Sequence, residues 1–266
     1  MRSPLLLLAA LLSFCLSAVA QPQFEQGMAA ARRGDYERAF ALWRPLAEQG
    51  NSNAQNNLGV LYERGRAVPR DYAVAVSWYR RAAEQGNAAA QNNLGVMYEK
   101  GLGVGRDLAE AARWYERASN RNDLNATNNL GVLYERGAGV PQDTRKALLL
   151  YRRAADKGNA RAQNNLGTLY QHGKGVAQDY KIAAAWYRRA AEGGNPQAMN
   201  NLGVLYGEGR GQGLDIVRAH FWFTLSAAAG NSNGAINRDA TSRKLSPEQR
   251  EQVEKLLSEW RAGHPR

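Results

Sequence analysis

The stretch Asn56-Asn57-Leu58-Gly59-Val60-Leu61-Tyr62-Glu63-Arg64-Gly65 decides the fold, because it returns with small changes at residues 92, 128, 164 and 200. The spacing is 36 residues each time, and self-similarity at a fixed period of this length marks a stacked repeat architecture. Leu58-Gly59, Leu94-Gly95, Leu130-Gly131, Leu166-Gly167 and Leu202-Gly203 are each followed, four residues after the Leu, by Tyr62, Tyr98, Tyr134, Tyr170 and Tyr206. Spacings of three and four residues place such positions on one face of a helix.

A second set of marks runs in step. Asp35, Asp71, Asp107, Asp143, Asp179 and Asp215 are each followed four residues later by Ala39, Ala75, Ala111, Ala147, Ala183 and Ala219. Each Asp from Asp71 on follows a loop such as Gly101-Leu102-Gly103-Val104-Gly105-Arg106, and its carboxylate is suited to cap the helix it opens. In Asp107-Leu108-Ala109-Glu110 the acid three residues on completes the pattern of a capping box. The second helix then carries Ala75, Trp78, Tyr79 and Ala82 on one apolar face, and it stops at Gly50, Gly86, Asn122, Gly158, Gly194 and Gly230. The single Asn among these stops is the other residue that tolerates a left-handed helix terminus. Each unit therefore reads as a helical hairpin too small to bury its faces alone, so neighbours must stack. The small residue of each Leu-Gly pair predicts close helix approach, where a bulkier side chain should cost about 1–3 kcal/mol through overpacking.

The ends depart from the pattern as capping units should. Residues 21–52 read as an N-terminal capping hairpin, with Phe24, Met28 and Ala31 at helical spacing, residues 53–232 as five repeats, and residues 233–266 as C-terminal capping helices. Arg238 and Asp239 stand where a further Leu-Gly pair would fall. Ser246-Pro247-Glu248-Gln249 makes a capping box with Pro at the first helical position, ahead of an apolar stripe of Val253, Leu256, Leu257 and Trp260.

Residues 1–20 read as a secretory signal peptide: Arg2, then the apolar run Leu5 to Leu12, then Ala18-Val19-Ala20, with cleavage expected between Ala20 and Gln21. A lipid anchor would need small residues before Cys15, where Phe14 stands. Cys15 is the only cysteine and leaves with the leader, so an internal disulfide is excluded and the fold must rest on packing. Without Arg2 the balance is 34 basic against 24 acidic residues, a net +10, spread over all repeats. The reading is of a periplasmic or secreted monomer with no transmembrane segment after leader removal. Its surface suits acidic protein partners and not nucleic acid, which that compartment seldom offers.

These motifs resemble the Sel1-like repeat family, a branch of tetratricopeptide-like helical hairpins, whose pattern is similar to Ala-x-x-Asn-Leu-Gly-x-x-Tyr, then Gly-x-Gly-Val, Asp and Ala-x-x-Trp-Tyr-x-x-Ala-Ala. The chain departs from it at Leu150 for Trp, Asn122 for Gly and Gln212 for Val. The resemblance implies an all-α, right-handed solenoid with a 36-residue period that serves as a scaffold, adaptor or regulator in bacterial envelopes. It also leaves open an immunity protein that blocks a toxic effector, or a β-lactamase-like or cell-wall hydrolase, although the disulfides of the relatives linked to β-lactams are absent here. In such stacks the side of the first helix opposite the core lines a concave groove. On a helical wheel with Leu58 at the origin, Asn56 falls at about 160° and Asn57 at about 260°. Asn56, Asn92, Asn128, Asn164 and Asn200, beside Asn57, Asn93, Asn129, Asn165 and Asn201, would then form two amide ladders able to pair with the backbone of an extended peptide. The competing role is to hold one repeat to the next. Arg64, Lys100 and Arg136 would meet carboxylates, or merely be solvated.

Catalytic chemistry is sparse. His172, His220 and His264 fall on different units with no ligand-spaced companion, and no Ser is followed three residues later by Lys. Gly207, Gly209, Gly211 and Gly213 superficially resemble a phosphate loop but follow no strand, and read as an inter-helix loop. No catalytic residue, cofactor or metal ligand is expected.

Overall fold

The computed structural model describes residues 21–264; the expected leader, with Cys15 and Ala20, lies outside the described residues. Every regular element among those residues is helical. In chain order these are α1 (residues 21–32), α2 (Tyr36–Glu48), α3 (Ser52–Arg64), α4 (Tyr72–Glu84), α5 (Ala88–Lys100), α6 (Leu108–Asn120), α7 (Leu124–Arg136), α8 (Thr144–Asp156), α9 (Ala160–His172), α10 (Tyr180–Glu192), α11 (Pro196–Glu208), α12 (Ile216–Ala228), α13 (Ser232–Ser242) and α14 (Pro247–Gly263). Helices α2 to α12 are each 13 residues long, as an uninterrupted 36-residue period demands.

The chain forms two compact units. One comprises the residues up to Ala126 with Ala138–Val140, the other Thr127–Gly137 with Pro141 onward. In the first, α2 to α6 pack each on the next, and in the second α8 to α13 do so, with α14 folded back on α12. Neither unit has long-range strand pairing to satisfy, so each is built from contacts between neighbouring hairpins.

Both helices of each hairpin are capped in register. The carboxylates of Asp35, Asp71, Asp107, Asp143, Asp179 and Asp215 accept backbone N–H bonds of 2.8–3.1 Å at α2, α4, α6, α8, α10 and α12. Asn51, Asn87, Asp123, Asn159, Asn195 and Asn231 do the same for α3, α5, α7, α9, α11 and α13. The expected capping box at Asp107 does not form. Its backbone N–H already donates to the Tyr98 carbonyl at 3.0 Å, so the Glu110 carboxylate is left to pair with Arg113 at 2.6 Å. At Ser246 both halves are present, with Gln249 N donating to Ser246 Oγ and Ser246 N to Gln249 Oε1. Asn122 adopts φ +65°, the left-handed value its place at a helix end requires. Gly207, expected in a loop, lies inside α11, where its absent Cβ would have met only the Ala219 methyl at 3.6 Å.

The core repeats as faithfully as the caps. Ala39, Ala75, Ala111, Ala147, Ala183 and Ala219 are fully buried, as are Tyr79, Tyr115 and Tyr151. The glycine of each Leu-Gly pair is explained by an aromatic ring of the following helix. A Cβ at Gly59, Gly95, Gly131, Gly167 or Gly203 would sit 2.5–2.8 Å from the ring of Tyr79, Tyr115, Tyr151, Tyr187 or Phe223. At the far end Val253 and Leu257 are buried, and Trp260 packs edge-on to Trp222 at 5.3 Å between ring centres.

Candidate functional site

Within each unit the two asparagine series are joined by hydrogen bonds between repeats. Asn93 Nδ2 donates to Asn56 Oδ1 of the preceding repeat at 3.0 Å. In the second unit Asn165 donates to Asn128 at 2.9 Å, Asn201 to Asn164 at 3.1 Å, and Asn237 to Asn200 at 2.9 Å. Within a repeat, Asn56 donates to Asn57, Asn128 to Asn129 and Asn164 to Asn165 at 3.4–3.5 Å, at the long edge of hydrogen-bond geometry. Asn92 and Asn129 have partners too. Asn57 donates instead to Met28 Sδ of α1 at 3.4 Å.

Asn128, Asn164 and Asn200 are buried although each stands on the side of its helix away from the Leu of the Leu-Gly pair, and each carries the amide of the next repeat; Asn56, which carries one too, is half-buried, as are Asn57, Asn93, Asn165 and Asn201. A primary amide has two N–H donors and an oxygen with two acceptor sites, so one inter-repeat and one weak intra-repeat bond do not exhaust it. Unused capacity of this kind remains on half-buried amides such as Asn93 and Asn165. Asn237 extends the ladder one unit beyond the last Leu-Gly pair, and the 36-residue register from Asn201 marks it.

Two other polar series serve the stack. Gln55, Gln91 and Gln163 are buried and donate Nε2 to the carbonyls of Ala47, Ala83 and Ala155 at 3.0–3.1 Å, tying the turn before each first helix. The hydroxyls of Tyr79, Tyr115 and Tyr151 donate to the carboxylates of Glu63, Glu99 and Glu135 at 2.5–2.9 Å, and that of Tyr187 to Gln171 Oε1 at 2.7 Å. In the next repeat the acceptor position is Gly207 and the ring is Phe223, so acceptor and hydroxyl are lost together. Burial raises the pKa of Tyr79 and Tyr151 strongly, the adjoining carboxylates raising it further, and burial pushes Tyr187 up to about 12.

Arg64, Lys100 and Arg136 are exposed in the last turns of α3, α5 and α7, and none is in an ion pair among the described residues. A cation there also complements the negative end of the helix dipole. No grouping of three or more His, Cys, Asp or Glu suited to a metal occurs among the described residues. His220 is half-buried against Thr241 at 2.8 Å, and burial lowers its pKa.

The Sel1 repeat family model matches residues 24–51, 52–87, 88–123, 124–159, 160–195 and 196–231. The chain belongs to the Sel1 repeat family. The Sel1 pattern thus extends over six segments and includes residues 24–51 as a shortened first one. Among solved structures, a Sel1 repeat protein from Oxalobacter formigenes is 36% identical with a TM-score of 0.74, covering 80% of this chain and 84% of that one. A protective antigen present in uropathogenic Escherichia coli strains, displaying an SLR fold, is 33% identical with a TM-score of 0.74; it aligns with 95% of this Sel1 chain, which spans only 56% of the antigen. An immunity protein from Pseudomonas aeruginosa shares the fold, at 20% identity and a TM-score of 0.55 over 81% of this chain and 84% of its own. Curated proteins give no significant match.

Proposed function

We propose that this chain is a non-enzymatic adaptor or regulator of a bacterial envelope, bound to a protein or peptide partner along the first-helix face. The observation that supports this reading is that the same helix end carries an exposed, unpaired cation in each unit, Arg64 and Lys100 at the ends of α3 and α5 in the first and Arg136 at the end of α7 in the second, on helices whose amides have hydrogen-bonding capacity to spare. The ladder holds the stack, and the half-buried Asn93 and Asn165 together with Arg64, Lys100 and Arg136 meet the guest. Export by the residue 1–20 leader places the partner in the periplasm or outside the cell. No helix among the described residues is long and apolar enough to cross a membrane. Reversing the three cations with Arg64→Glu, Lys100→Glu and Arg136→Glu should abolish capture of envelope proteins by the immobilised chain, with its helical circular dichroism unchanged. Undiminished capture by the variant refutes the assignment.

A second reading is an immunity protein that occludes a toxic effector, favoured by the fold shared with the Pseudomonas aeruginosa protein. Co-expression with effectors encoded beside the gene decides it: rescue of growth by the wild-type chain supports this role, and no rescue ends it.

A further inference from the structure

We propose that a cavity of the first unit, at its α1–α3 end, seats one apolar side chain of an acidic partner segment, whose flanking carboxylates engage Arg32, Arg64 and Arg66. The cavity measures about 270 Å³. Met28, Val60 and Leu61 form its apolar lining, and the three arginines line it as well, from positions exposed to solvent. No Asp or Glu lines the cavity, and none of the three guanidinium groups is in an ion pair among the described residues. Arg66 is held in place by Tyr36: its guanidinium lies 4.5 Å from the centre of the ring and donates to the phenol oxygen. The ring thus orients a cation at the cavity without neutralising it.

Charge decides the occupant. Three positive groups around a hydrophobic recess repel a basic segment and leave a neutral one to the apolar contact alone. A guest with an apolar residue between carboxylates satisfies both parts of the lining, since guanidinium–carboxylate pairs are charge-assisted and directional. Among the described residues α1 covers this end of the first unit, and Asn57 donates to Met28 of α1, where Asn93 and Asn165 reach an asparagine of the preceding repeat.

This inference rests on the protein-binding reading above and names its anchor. The probe is N-acetylated, C-amidated Asp-Asp-Leu-Asp-Asp, titrated into the purified protein while the indole N–H signal of Trp43, which also lines the cavity, is followed by NMR. Saturable shifts of that signal are expected, weakened roughly tenfold or more by Arg32→Glu or Arg64→Glu through loss of a charge-assisted contact. Replacing the central Leu of the peptide by Ala should weaken the titration, and Lys-Lys-Leu-Lys-Lys should leave the signal unmoved. Absence of any shift up to about 1 mM peptide, a limit of roughly 4 kcal/mol, overturns the proposal, as does equal binding by the charge-reversed variants. Should the peptide fail while the wild-type chain still captures an envelope protein, the anchor falls and the protein-binding role stands.

Discussion

Gly95→Ala and Gly207→Ala are the same chemical change inside a helix, and the structure gives them opposite signs. At Gly95 in α5 the new Cβ would lie 2.6, 2.7 and 3.2 Å from Cε1, Cδ1 and Cζ of Tyr115. Carbon atoms pack at about 3.5–4.0 Å, so the ring must retreat by roughly 1 Å. It has little room: Tyr115 is fully buried and its hydroxyl is tethered to Glu99 at 2.6 Å. Overpacking of this kind costs about 1–3 kcal/mol, against which Ala recovers up to about 1 kcal/mol of helix propensity. The net expectation is a loss of about 1–2 kcal/mol, a drop in Tm of roughly 2–8 °C for a chain of this size. At Gly207 the added methyl makes only an ordinary contact with Ala219, so the propensity gain of at most about 1 kcal/mol survives and Tm should rise by roughly 2 °C. Thermal unfolding followed at 222 nm for both variants is the assay. A Gly95→Ala protein at least as stable as wild type refutes the packing argument.

Alkaline pH should unfold the chain. The buried tyrosines have folded pKa values above the ordinary value of about 10, that of Tyr187 reaching about 12, so their contribution is complete below pH 10 and is lost as pH rises through the folded values. Absorbance at 295 nm should show this group titrating together with loss of helix; all twelve tyrosines ionising near pH 10 with helix intact contradicts it. Arg121→Gln should stabilise the first unit by roughly 0.5–1.5 kcal/mol, read as a higher urea midpoint. Gln85 Nε2 donates to the Gln55 side-chain oxygen at 2.7 Å, whereas one repeat on the corresponding Gln91 oxygen is buried without a partner, and Arg121, at the place of Gln85, has its guanidinium against Gly86 instead. Nitrocefin incubated with the purified chain should turn over no faster than the buffer blank; turnover above it reopens the hydrolase alternative.

Most of the architecture is legible because each mark recurs at one period. Asp caps, Gly or Asn stops and buried Ala positions all follow from a single register, and Asn122 obeys it as an exception with the right backbone preference. The asparagine partners were hidden for a geometric reason. Asn93 bonds to Asn56, Asn165 to Asn128 and Asn201 to Asn164, an offset of 37 residues that crosses from one repeat to the next. A single-helix wheel cannot contain that contact: it places the Asn56 series on the groove side, where Asn128, Asn164 and Asn200 are buried. The Glu110 box fails because the N–H it needs is claimed by the Tyr98 carbonyl, a bond that spans the loop. The paired loss of Glu at 207 and hydroxyl at 223 was present in the sequence, and could be read only once the ring and the carboxylate were known to meet.

Hydrogen–deuterium exchange of the chain, alone and with a captured envelope protein, tests most directly where a partner binds. Protection is expected in the last turns of the first helices and the loops that follow, around residues 63–66, 99–102 and 135–138. Protection confined to α4, α6, α8 and α10, with those turns exchanging as in the free chain, would contradict the account.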